Sequence, residues 1–102
     1  MNPGLTLIAI LQGKPEKRDE LLATLREFVK PTRAEEGCFE YHLHISKDDP
    51  NQFIFYENWR SQPDLDVHLK TPLLAAFLGR TKDLLEKDVD MRYMTMDSAY
   101  DK

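Results

Sequence analysis

A single cysteine, Cys38, stands among 102 residues, so no internal disulfide can form and a cysteine-built zinc cage is excluded. The four glycines are scattered singly. Phosphate loops and dinucleotide fingerprints need glycines at fixed spacing, and Gly4 and Gly13 do not provide it. No nucleophile elbow and no HExxH pair is present either. Fourteen basic residues against eighteen acidic leave a net charge of −4. No basic stripe interrupts that balance, which argues against a nucleic-acid or anionic-membrane surface. The longest apolar run, Leu5 to Leu11, is broken by Thr6 and is far too short to span a bilayer. The opening Met1-Asn2-Pro3-Gly4 resembles no export signal, so a cytoplasmic protein is expected. There is no flexible linker, low-complexity tract or repeat, which predicts one domain over residues 1–102. Hydrophobic residues at 41% are enough for one modest core.

What is present reads as alternating elements. Leu5 to Gln12, LTLIAILQ, predicts a strand that is apolar on both faces. Glu16 to Lys30 carries Leu21, Leu22, Leu25, Phe28 and Val29 in one helical stripe, with Pro15 suited to the first turn. Pro31 is expected to kink or interrupt that helix, with one more turn over 32–36 and Gly37 as a left-handed stop. Cys38 to Ser46 alternates, placing Phe39, Tyr41, Leu43 and Ile45 on one face and Glu40, His42 and His44 on the other. After a turn at 47–51, Gln52 to Arg60 places Phe53, Phe55, Glu57 and Trp59 on one face, and the two strands predict an antiparallel hairpin. Ser61 and Asp64 have capping-box spacing before a short helix whose inner stripe is Leu65, His68 and Leu69. Thr71 and Pro72 open a second helix with Leu74, Phe77, Leu78, Thr81, Leu84 and Leu85 on one face; Gly79 weakens it by roughly 1 kcal/mol relative to alanine. Asp88 to about Met96 predicts the last strand, and the polar tail from Asp97 is expected to fray.

The order is β-α-β-β-α-α-β. It predicts an α+β fold of the ferredoxin-like kind, with a four-stranded antiparallel sheet and its helices on one face. The other face would expose Ile8, Ile10, Ile54 and Tyr56, which predicts a homodimer formed through the sheets.

Few side chains could carry chemistry. Glu57 against an aromatic wall would have its pKa raised and could serve as an acid or base; the other reading is a structural carboxylate tied to backbone donors or an arginine. Trp59 is either core or a platform for a flat aromatic ligand. His68 is either a core histidine or a general base shielded from water. Glu40, His42 and His44 share a strand face that could hold a metal, but a polar strand edge accounts for them, and no metal is expected. Cys38 reads as a small buried filler.

Three stretches resemble the antibiotic biosynthesis monooxygenase family: Arg33-Ala34-Glu35-Glu36-Gly37-Cys38-Phe39-Glu40-Tyr41, Phe55-Tyr56-Glu57-Asn58-Trp59-Arg60-Ser61, and His68-Leu69-Lys70-Thr71-Pro72. The resemblance implies a cavity between helices and sheet that takes a quinol or related electron-rich aromatic. It implies oxidation by O₂ with no metal, flavin or haem, the substrate anion itself reducing the oxygen. On this chain it implies His68 and Glu57 as catalytic residues and Trp59 and Phe55 as the substrate wall. Members often carry a histidine directly after the Thr-Pro pair, where this chain has Leu73. Haem-degrading relatives use an asparagine in the first strand, and Leu5 to Leu11 contains none. Two other activities stay open at this point: an isomerase or lyase acting on a small carbonyl compound, and a protein that only binds an aromatic ligand.

Overall fold

A computed structural model describes residues 1–100. The chain runs β1 (Leu5–Gln12), a 3-10 turn (Pro15–Lys17), α1 (Arg18–Arg33), β2 (Cys38–Ile45) and β3 (Gln52–Trp59). It continues with α2 (Gln62–Leu69), α3 (Pro72–Leu78), α4 (Thr81–Leu84) and β4 (Asp90–Met94). All pairings are antiparallel, in the order β2-β3-β1-β4. Strands β1 and β3 are central, so each of the two crossovers skips a strand, as the ferredoxin-like reading requires.

Alternation decides the inner face. Leu7, Ala9 and Leu11 of β1 and Phe53 and Phe55 of β3 are buried against Leu21, Leu22, Leu25 and Phe28 of α1. Phe28 is the keystone: it stacks on Phe55 with centroids 6.3 Å apart and meets Phe77 of α3 edge-on at 5.3 Å. Tyr41 stacks on Phe55 from β2 at 4.8 Å, so four elements meet in one aromatic cluster.

Several local expectations are corrected. Pro31 does not interrupt α1 but sits inside its last turn. The carbonyl it leaves without an amide partner is that of Glu27, and both residues are exposed, where water can satisfy it. Gly37 is not left-handed, since no described residue has a positive φ. Glycine is required there because a Cβ would overlap the Asp64 side chain. Asp64 is fixed by the Arg60 guanidinium at 2.8 Å and by the Ser61 hydroxyl at 2.8 Å, while Ser61 Oγ accepts the Asp64 amide as the N-cap of α2. The single helix expected after Thr71 is divided at Gly79 into α3 and α4. Thr71 is the N-cap residue of α3, but its hydroxyl donates backwards to the His68 carbonyl at 2.8 Å.

The β2 alternation holds from Glu40 onward and slips before it. Cys38 pairs with Trp59 and Glu40 with Asn58, so Phe39 is an extra, bulged residue. The bulge turns Cys38 to the inner face beside Trp59 and frees Phe39 to meet Tyr100, centroids 6.1 Å apart. The described part of the tail is tied down rather than frayed. Asn2 Nδ2 donates to the Ser98 carbonyl at 2.9 Å, and Asn2 Oδ1 accepts the Tyr100 amide at 2.9 Å. Residues 101–102 of that expectation lie outside the described residues.

The helix-free face carries a polar network at one end and half-buried Ile8, Ile10 and Ile54 at the other. Asn58, fully buried, accepts from Thr6 Oγ1 at 2.6 Å and donates to Glu40 Oε2 at 2.7 Å and Tyr56 Oη at 3.0 Å. His42 Nδ1 faces the Arg33 guanidinium at 3.1 Å and its Nε2 faces Glu40 at 3.4 Å. Arginine can only donate, so Nδ1 is the acceptor and both ring nitrogens are engaged. His44 is exposed. No group of three metal-ligating side chains occurs among the described residues.

Candidate functional site

The site forms where three elements meet on the inner face. Strand β3 presents Glu57 and Trp59, β2 presents Tyr41 opposite Glu57, and α2 lowers His68 onto them from above. His68 reaches this position because it follows Leu65 by three residues, and both belong to the buried stripe of α2. Its ring lies 4.8 Å from the Trp59 ring and 5.6 Å, edge-on, from that of Tyr41.

Each polar group at this end has one anchored side. His68 Nδ1 is 2.8 Å from Glu35 Oε2, on the turn that follows α1. A carboxylate accepts, so Nδ1 carries a proton, and in the neutral imidazole the lone pair is on Nε2. Glu57 Oε1 accepts the Trp59 indole N–H at 2.9 Å, leaving Oε2. The Tyr41 hydroxyl meets that of Thr32 in α1. Among the described residues no sealed side-chain nitrogen or oxygen lacks a partner. His68 Nε2 and Glu57 Oε2, for which the structure records no partner, are therefore not sealed, and both residues line one cavity.

The cavity is ≈ 40 Å³, room for about one water molecule. Apart from Tyr41, Glu57 and His68, every lining residue is a leucine, alanine, phenylalanine, valine or methionine. Burial pushes the Glu57 carboxyl from its ordinary 4.5 up to about 7; the Trp59 N–H bond opposes the rise and the Glu35 charge adds to it. Glu57 therefore exchanges its proton near neutrality. Burial, with the Glu57 charge, also raises the Tyr41 phenol and keeps it neutral. The same two causes push the Cys38 thiol up to about 11, which makes it an inert filler at neutral pH. No lysine or arginine lines the cavity among the described residues. Three arginines outside it are committed elsewhere: Arg60 to Asp64, Arg80 to Glu20 and Asp83, Arg92 to Asp90.

Residues 4–80 match the family model described as antibiotic biosynthesis monooxygenase. This chain belongs to that family. An uncharacterised Synechocystis protein is 35% identical over 82 residues, which are 80% of this chain and 56% of that one. The chain thus spans little more than half the length of that relative. The Escherichia coli protein named "Probable quinol monooxygenase YgiN" is 28% identical over 96 residues, covering 83% of this chain and 92% of its own. A crystal structure from Pseudomonas aeruginosa superposes with a TM-score of 0.89 at 33% identity, covering 96% of this chain and 97% of that one.

Of the four residues singled out from sequence, the family fold brings Glu57, His68 and Phe55 to the cavity wall. Trp59 lies one layer deeper: it is fully buried, packs on His68 and holds Glu57, and is not among the lining residues. Leu73, in the position where members often carry histidine, packs half-buried against the core and also lies outside the lining. Sequence reasoning missed Glu35 and Tyr41. Tyr41 could have been found from the hairpin register, which sets it opposite Glu57. Glu35 carries no comparable signal, because its partner lies 33 residues away in another element.

Proposed function

We propose that this protein is a cytoplasmic, cofactor-independent monooxygenase that oxidises a quinol or related electron-rich aromatic with O₂. The observation that carries the reading is the Glu35–His68 pair, which leaves a basic Nε2 at the polar end of an otherwise apolar cavity. His68 takes the proton of a substrate hydroxyl, and Glu35 stabilises the imidazolium that forms. Glu57, within the same polar end, exchanges a proton with a second oxygen of the ligand. Phe55 and its aromatic neighbours form the wall that holds the ring, and Trp59 keeps Glu57 in place behind it.

The substrate anion gives one electron to O₂. The resulting radical pair joins at a ring carbon, and the peroxide loses water to leave a carbonyl oxygen there. Overall one O₂ is consumed for each quinone formed, with its second oxygen leaving as water and no external reductant used. A dry apolar wall protects the intermediates from side reactions. The family match and the quinol named for the Escherichia coli relative support this class of substrate. An isomerase or lyase acting on a phosphorylated carbonyl compound would want a cation in the lining, and none is there among the described residues.

The protein is further proposed to act as a homodimer through the helix-free sheet face, where Ile8, Ile10, Ile54 and Tyr56 are covered only in part. Light scattering at micromolar concentration should give twice the chain mass; a monomer contradicts the assembly. Oxygen uptake with a hydroquinone panel tests the chemistry. His68→Ala should lower turnover roughly 10²- to 10⁴-fold while the fold persists. A ligand recovered unchanged, with no oxygen uptake, would instead make this a binding protein.

A further inference from the structure

The distribution of polar atoms along the cavity restricts the ligand further. Resting on the reading above, we infer that the substrate carries its hydroxyl groups on adjacent ring carbons, as a catechol does, with an apolar substituent on the far side of the ring.

The polar residues cluster in one corner. Glu57 and Tyr41 face one another across β3 and β2, and His68 lies over Tyr41 and Trp59. This corner is closed: His68 and Tyr41 are each 2% exposed and Glu57 4%. The opposite corner is made by Leu78, Val89 and Met91, and it is open, with Leu78 44% exposed. Met91 pairs with Ala9, and Ala9 with Phe55, so Met91 stands two strands across and one inner-face row along from Glu57. In an ideal sheet that separation is about 12 Å, longer than one benzene ring.

A ligand entering from the open corner therefore arrives oxygen-first. Two adjacent hydroxyls both reach the corner where His68 Nε2 and Glu57 Oε2 are free. A hydroxyl on the opposite carbon instead points towards Leu11, Phe77 and Met91, whose side chains carry no nitrogen or oxygen; the Tyr93 hydroxyl beside them already donates to Met91 Sδ at 3.4 Å. An alkyl group in that position fills the apolar half and reaches the mouth. A hydrophobic pocket rejects an added hydroxyl by up to about 100-fold.

Two isomers of one formula isolate this effect: 4-tert-butylcatechol and tert-butylhydroquinone differ only in the placement of the second hydroxyl. Calorimetric titration under anaerobic conditions measures binding without oxidation. The catechol should bind about 10- to 100-fold more tightly. Met91→Gln, which offers the far hydroxyl a partner, should narrow that ratio by improving hydroquinone binding. A wild-type ratio within threefold of one, or one favouring the hydroquinone, overturns the inference and leaves the monooxygenase reading standing. A preference that Met91→Gln folds with but does not narrow also overturns it; if that variant does not fold, the wild-type ratio decides. Binding of neither isomer at millimolar concentration overturns the inference and the aromatic reading together. Tight, selective binding with no oxygen uptake in air supports the inference and refutes only the oxidation.

Discussion

Replacing Glu57 by glutamine should make the protein more resistant to alkaline conditions, by an amount that the burial of the carboxyl sets. Glu57 is 4% exposed, and burial lifts its pKa from 4.5 to about 7. Below pH 4.5 the group is protonated in both the folded and unfolded chain and costs nothing. Between the two values the folded chain keeps a proton that the unfolded chain releases, so stability falls as pH rises. Above about 7 the whole loss is in place, about 3 kcal/mol at 1.36 kcal/mol per tenfold change in proton affinity. Glutamine at position 57 keeps an oxygen for the Trp59 indole N–H and cannot ionise. Between pH 5 and pH 8 the wild type should therefore lose roughly 2 to 3 kcal/mol more stability than Glu57→Gln. Urea titrations at constant ionic strength read this directly. The two proteins' midpoints should diverge by roughly 1 to 2 M over that range, with slopes unchanged. Taking the difference between the proteins cancels the other carboxylates, which titrate in both. Parallel pH dependences, agreeing within about 0.5 kcal/mol, would refute the placement of an ionisable Glu57 in a dry site.

Two further substitutions probe neighbouring contacts. Trp59→Phe removes the N–H that opposes the rise of the Glu57 pKa, so the pH at which Glu57 titrates should move upward; infrared or NMR titration of the carboxyl checks this, and a downward move contradicts the hydrogen bond. Gly37→Ala should destabilise the chain by about 1 to 3 kcal/mol through collision with Asp64, and Asp64→Gly in the same chain should recover part of that loss in thermal unfolding.

The main elements were legible because their periods are clean. The stripe from Leu21 to Phe28 and the alternation of Phe53, Phe55 and Glu57 each admit one structure, and both faces formed as their patterns require. The bulge at Phe39 was not legible. The run Cys38 to Ile45 alternates without a break, and no glycine or proline marks the extra residue; only pairing with Trp59 and Asn58 exposes it. Depth was equally hidden. Periodicity sets Trp59 and Glu57 on the same face but cannot say that His68 will come between Trp59 and the cavity side of α2. Glu35 was hidden for a related reason, since a carboxylate in a polar turn looks solvated until the helix it faces is packed down.

The division at Gly79 has a kinetic consequence. An aromatic ring does not fit in 40 Å³, so a ligand entering at the open Leu78 corner must displace the helix that ends there, the seven-residue α3, held down by Leu74 and Phe77. Apparent affinity is then the intrinsic affinity multiplied by the fraction of time α3 is displaced. Gly79 lies at φ −74° with no tight contact for an added Cβ, so alanine there fits the native backbone. Stiffening this joint would stabilise the resting molecule by about 0.4 to 1 kcal/mol and, to the extent that lifting α3 bends the chain at Gly79, slow admission of the ligand by the same factor. Gly79→Ala therefore tests whether the joint between α3 and α4 governs access to the cavity.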